Sequence, residues 1–179
     1  MRKGTVRNQI VDTASRLFYK QGYNATGINQ IIDEAGVAKA SLYQHFHSKE
    51  DLLAAYLTEK GIETNAALKA VADQHKNPKE KVLAIFDFLD KLTNQNDYYG
   101  CNFLNIASEL PVDSTRLRNL IRKQKDDVRA LFGEILKPVK KEKLADELYM
   151  LFDGALITNK VHGSGWPVQT ARRIAEKII

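Results

Sequence analysis

The sequence predicts an all-α fold of about nine helices, and three observations lead there. Apolar residues recur at the spacing of one helix face along almost the whole 179-residue chain. The β-branched residues follow that same spacing and nowhere alternate as a half-buried strand requires. The breaks fall at glycine or proline, as at Gly22, Gly36, Pro78, Pro111 and Pro138, the residue types that stop helices.

The elements follow in order. Ile10, Val11, Ala14, Leu17 and Phe18 form one face of a first helix that Gly22 stops. Thr26 is an N-cap type, so it opens a second helix through Ile28, Ile31 and Ile32, ended by Gly36. A short third helix runs from about Lys39 to Phe46. Ser48 caps a fourth, with Asp51 three residues on as a capping-box partner. That helix carries Leu52, Leu53, Tyr56 and Leu57 toward Gln74. The fifth starts at Pro78 with Val82, Phe86 and Leu89. The sixth is short, Cys101 to Leu110. The long seventh opens at Asp113 or Ser114 and ends before Pro138. The eighth extends from about Lys141 to Val161, and the ninth from about Val168 to the end.

Composition bounds the function. A hydrophobic fraction of 44% supports a real core, and no low-complexity tract is present. Lys and Arg number 27 against 22 acidic residues, a formal charge of +5, which admits a polyanionic partner without demanding one. The single cysteine, Cys101, excludes an internal disulfide and any Cys/His zinc spacing. His45 and His47 form an H-x-H with no third ligand at zinc spacing. "HGSGW" lacks the context of a nucleophile elbow. No Walker or Rossmann glycine pattern occurs. The expectation is a non-enzyme with no metal and no cofactor. The N-terminus has no signal-peptide core and no apolar run reaches a membrane span, so a soluble cytoplasmic protein is expected.

The richest stretch is "AGVAKASLYQHFHSKEDLL", Ala35 to Leu53. Two helices joined by a small turn containing Gly describe a helix-turn-helix, and Gly36 accepts a positive φ without strain. With Val37, Leu42 and Phe46 packed inward, Lys39, Ala40, Ser41, Tyr43, Gln44 and His45 face outward. Such a helix fits the DNA major groove. Lys39 suits guanine edges or a phosphate, Ser41 and Gln44 suit bases, and Tyr43 and His45 suit phosphate oxygens, which fix register. Lys49, at the start of the fourth helix, lies beside free amide groups that attract an anion, and the same reasoning places a phosphate near Thr26 and Gly27. Arg2, Lys3, Arg7, Arg16, Lys20, Lys39 and Lys49 outnumber Asp12, Asp33, Glu34 and Glu50 in this region. The plainer alternative is a three-helix subdomain with an ordinary solvated face.

"FYKQGYNATGINQIIDEAGVAKASLYQHFHSKEDLL" resembles the DNA-binding domain of TetR/AcrR-type transcriptional regulators, over about Arg7 to Leu57. The resemblance implies an all-helical homodimer with a DNA-binding head, residues 1–47, and a ligand-binding and dimerisation body, residues 48–179. It implies DNA-facing roles for Thr26, Lys39, Ala40, Tyr43, His45 and Lys49. Ala38 stands where the family often has Ser, which weakens the cap of the recognition helix. Ala40 stands where Gly is frequent, and Asn29 and Gln30 where acidic residues are frequent.

In the body, helix eight is apolar on more than one face, with Leu148, Phe152 and Ala155 but also Met150, Leu156 and Ile157. Such a helix is covered on two sides. Either a partner subunit covers the second side or the helix is buried in a monomer. In TetR-like proteins the last two helices build the dimer interface, which favours the homodimer and a palindromic operator in double-stranded DNA. Phe86, Tyr98, Asn102, Asn105, Phe132 and Trp166 are expected to line or border a cavity for a small-molecule effector, the alternative being plain core. "YGCNFLNIASEL" carries a "GC…N…E" order that resembles a family branch responding to reactive electrophiles. Cys101 is then a sensing thiol, with Lys160 as a nearby cation, or else a small core residue. The expected function is a repressor released by an effector or by thiol modification. The alternatives are a ligand-independent regulator or activator of the same fold, and a helical carrier or enzyme.

Overall fold

The computed structural model describes residues 5–179, and among them it contains nine α-helices and no strand. They are α1 (Val6–Gln21), α2 (Ile28–Ala35), α3 (Lys39–His45), α4 (Lys49–Ala72), α5 (Pro78–Thr93), α6 (Asn102–Glu109), α7 (Thr115–Leu136), α8 (Ala145–His162) and α9 (Trp166–Ile178). Two short 3-10 turns, Lys137–Val139 and Glu142–Leu144, connect α7 to α8. The eighth α-helix therefore starts at Ala145 rather than near Lys141, because the chain first turns through Lys140 at φ 57°. No helix among the described residues is long and apolar enough to cross a membrane.

The helices gather into two compact units. The first comprises the described chain up to Lys60 together with Asn102–Ile121, and the second comprises Gly61–Cys101 and Arg122–Ile179. The division falls inside α4.

In the first unit, Ile10, Ala14, Phe18, Ile31, Leu42, Leu52, Leu53, Tyr56 and Leu57 are essentially inaccessible to water. Each large aliphatic or phenyl side chain among them stabilises by about 1.5–3 kcal/mol. Phe18 meets Tyr23 and Tyr56 edge to face, with centroids 5.3 and 5.8 Å apart. Phe103 and Ile106 of α6 and Leu117 of α7 are buried in the same unit. Ser48 caps α4: its Oγ accepts from the Asp51 N–H and donates to the Asp51 carboxylate, both at 3.0 Å.

The core of the second unit is a row of three rings. Phe86 stacks on Phe132 at 6.2 Å, and Phe132 meets Phe152 edge-on at 6.0 Å. Val82, Ile85, Leu148, Val168 and Ala175 are buried in this unit as well. Asn77 caps α5 by accepting from the Lys79 N–H at 2.8 Å, with Pro78 in the first turn. Arg172 of α9 pairs with Asp87 of α5 at 2.5 Å.

Candidate nucleic-acid interface

Gly36 ends α2 in the left-handed region, φ 64° and ψ 35°, and its N–H bonds back to α2. The Val37 N–H closes on the Ile32 carbonyl at 3.3 Å. This tight C-cap turns the chain directly into α3. Ala38 supplies no side-chain cap for α3, as its lack of a polar group dictates.

The seven residues of α3 separate cleanly by face. Leu42 is wholly buried and Phe46, just past the end, is 4% exposed. Lys39, Ala40, Tyr43, Gln44 and His45 are exposed and Ser41 is half-buried. Positions 39, 40, 43 and 44 lie on consecutive turns of one face, so that face combines a cation, a phenol and an amide, groups suited to phosphates and base edges.

Two predicted contact residues are placed differently from expectation. Thr26 does not cap α2. Its side chain is buried, its hydroxyl donates to the Gly22 carbonyl at 2.6 Å, and its N–H bonds the Tyr23 carbonyl at 3.2 Å. Both donors of Thr26 are spent inside the unit. The N-cap is Gly27, which offers no side chain, so the first amides of α2 keep their affinity for an anion. Lys49 turns inward. Its ammonium donates to the carbonyls of Tyr23 and Thr26, each at 2.9 Å, and sits 4.1 Å from the Tyr23 ring centroid. That leaves one of its three donors for a phosphate. Burial pushes the Lys49 ammonium below its ordinary value, with Glu109 opposing the shift.

Neighbouring charges are partly internal too. Arg16 pairs with Glu34 at 2.5 Å. Arg7 pairs with Glu59 at 3.2 Å and lies over the Phe46 ring. Arg2 and Lys3 fall outside the described residues. The positive charge on the outer face of α3 therefore rests on Lys39.

Residues that sequence reasoning missed hold this unit together. The Asn24 N–H donates to the Glu109 carboxylate at 2.7 Å, and the Asn24 amide donates to the Glu109 carbonyl at 3.1 Å. Arg116 donates to Asp51 at 2.7 Å. The Tyr56 hydroxyl donates to Asn102, so Asn102, expected as a ligand contact, belongs to the first unit along with Asn105.

In the second unit, the cation placed against the Cys101 sulfur is Lys125, 3.5 Å away on α7. Lys160 is exposed on the last turn of α8. Lys125 also pairs with Asp153 at 2.7 Å, with both side chains largely buried. Asp153 in turn accepts from the Tyr149 hydroxyl at 2.7 Å. Burial first, and Asp153 second, hold that phenol well above its ordinary value. Phe86 and Phe132 are wholly buried in the ring row. Trp166, expected beside the cavity, is half-exposed at the start of α9. There it borders an open groove of about 180 Å³ floored by small residues such as Gly154, Ala155 and Ala171. Met150, Ile157, Val161 and Ile174 extend this exposed apolar face of α8 and α9.

Comparison with known proteins agrees with this geometry. The family model "Bacterial regulatory proteins, tetR family" matches residues 10–56. The HTH-type transcriptional regulator YxaF of Bacillus subtilis is 32% identical over 164 residues, 90% of this chain and 83% of the relative. The HTH-type transcriptional repressor DhaR of Mycobacterium sp. strain GP1 is 24% identical over 178 residues, 94% of this chain and 89% of the relative. The crystal structure of SCO4454, a TetR-family regulator from Streptomyces coelicolor, superposes with a TM-score of 0.90 at 26% identity, covering 97% of this chain and 87% of that one. An exposed, cation-bearing α3 behind a glycine turn, on an all-helical chain with these relatives, establishes that the protein is a DNA-binding transcriptional regulator belonging to the TetR family.

Proposed function

We propose that the protein is a cytoplasmic, homodimeric repressor that sets the α3 helices of its two subunits into successive major grooves of a palindromic operator. The observation that carries this reading is the division of α3: Leu42 and Phe46 anchor it from behind, while Lys39, Tyr43, Gln44 and His45 lie exposed on its surface. DNA binding is assigned to residues 1–47, with the N-terminal amides of α2 at Gly27, Ala40 and Ser41 completing the contacts, and Lys49, two residues beyond, adding its third donor. Effector binding and dimerisation are assigned to residues 48–179. The apolar face of α8 and α9, with Met150, Ile157, Val161, Trp166 and Ile174 in water, is the surface a second subunit covers, because stable monomers seldom expose so continuous a patch. Repression is supported by DhaR, a relative described as a repressor.

Release follows from a small-molecule effector or from modification of Cys101, whose sulfur faces the Lys125 ammonium. A ligand-independent regulator of the same fold is the second reading, favoured by the complete burial of Phe86 and Phe132, which fills space an effector would need.

Selection of bound DNA from a random pool tests the main reading. It predicts a two-fold symmetric motif with half-sites about 34 Å apart and affinity that falls steeply with salt. Enrichment of no sequence, or of an unpaired half-site, contradicts it. Complete modification of Cys101 by N-ethylmaleimide with unchanged operator affinity removes the thiol route.

A further inference from the structure

We propose that Glu109 and Arg116 are positioning residues for DNA recognition, clasping the chain before and after α3 and so setting the tilt of that helix. The inference rests on α3 being the recognition helix.

A helix of seven residues does not hold itself in place. Among its own residues only Leu42 is buried. Its orientation is therefore set by the segments that lead into and out of it.

Both segments are gripped by one corner of the first unit. On the entry side, the Glu109 carboxylate accepts the Asn24 N–H at 2.7 Å, and the Glu109 carbonyl accepts the Asn24 side-chain amide at 3.1 Å. The backbone at Gly22 approaches so closely that a Cβ there would stand 3.0 Å from a Glu109 carboxylate oxygen. The carboxylate also attracts the Lys49 ammonium, which binds the carbonyls of Tyr23 and Thr26. On the exit side, Arg116 pairs with Asp51 at 2.7 Å, the residue whose N–H and carboxylate both engage the Ser48 cap of α4.

The corner between α6 and α7 is itself braced. Arg118 donates to the carbonyls of Pro111 at 2.9 Å and Leu110 at 2.7 Å. Glu109 and Arg116 thus sit on one stiff bracket, and any displacement of it moves both ends of the α2–α3 pair together.

The exit-side contact contributes more to geometry than to stability. The Arg116–Asp51 pair is open to solvent, with Arg116 58% exposed, and such pairs contribute little to folding. Charge alone also gives the opposite sign at Glu109. Removing an anion from a DNA-binding unit strengthens attraction to any duplex, whereas loss of a positioning contact weakens binding to the operator only.

The test uses the full-length protein, a duplex obtained by selection with the wild type, and a random duplex of equal length at one salt concentration. For Glu109→Ala, operator affinity should fall about tenfold, the size of one charge-assisted hydrogen bond, while random-duplex affinity stays the same or rises. Glu109→Gln, which keeps an acceptor for Asn24, should recover most of the loss. Should Glu109→Ala fail to fold, Arg116→Ala carries the test, with a fall of about threefold in the ratio of operator to random affinity. An unchanged ratio in a folded variant, or equal losses on both duplexes, overturns the proposal. If the wild type selects no DNA, it is the recognition-helix reading that fails, not the clasp.

Discussion

Among the described residues, the two positive-φ glycines of the DNA-binding unit should respond differently to substitution. Gly36 is left-handed, φ 64° and ψ 35°, and a Cβ added there meets nothing within 4 Å. Gly36→Ala therefore costs only the backbone preference, about 1–2 kcal/mol. Gly36→Asn should cost less, since Asn tolerates this conformation. Gly22 lies at φ 93° and ψ 158°, a region essentially reserved for glycine and costing other residues about 1–3 kcal/mol. Its added Cβ also stands 3.0 Å from the Glu109 carboxylate that holds Asn24. Disturbing that hydrogen bond adds about 1.5–3 kcal/mol. Gly22→Ala should thus destabilise by about 2.5–6 kcal/mol in total, with no rescue by Asn. Urea unfolding followed by circular dichroism, at one protein concentration, measures all four variants. Equal costs at the two glycines, or Gly36→Asn falling below Gly36→Ala, would refute the reasoning.

Three further outcomes are expected. Phe132→Ala, which empties the middle of the ring row at a side chain with no exposure, should cost about 3–5 kcal/mol in the same unfolding assay. Ile157→Glu, on the exposed α8 face, should yield a folded monomer by sedimentation and abolish tight operator binding, because a charge has no partner in an apolar interface. The Asp51 carboxyl is held below its ordinary 3.8, first by Arg116 and then by Ser48. Its folded value is depressed, so its contribution to stability is whole above about pH 4 and is lost as pH falls through the folded value. Arg116→Met should flatten the stability profile below about pH 4, as read by thermal melts across an acid series.

What the sequence disclosed was local. The helices were legible because their buried faces repeat at helical spacing: Ile10, Ala14 and Phe18 in α1, or Leu42 and Phe46 around α3. The turn was legible because Gly36 stands between two such faces, and the Ser48–Asp51 cap because its partners are three residues apart. Contacts between distant segments were not. Lys49 was read as meeting a phosphate at its helix start, yet the carbonyls that draw it inward belong to Tyr23 and Thr26. Glu109 appeared in the "GC…N…E" order without a role, since its partner Asn24 is 85 residues away. Lys125 went unnoticed beside Cys101 because it lies 24 residues further on, in a run of charges on α7 that looks like ordinary surface. Trp166 looked like a cavity wall from its ring alone, and only the neighbouring α8 residues reveal the open face it shares.

The claim that α3 meets DNA through its outer face is tested most directly by titrating the selected operator with wild type and with Lys39→Ala across a series of salt concentrations. The account predicts weaker binding for the variant. It also predicts a shallower slope of log affinity against log salt, by about one unit for each cation withdrawn from the duplex. Identical affinity and slope for the two proteins would contradict it.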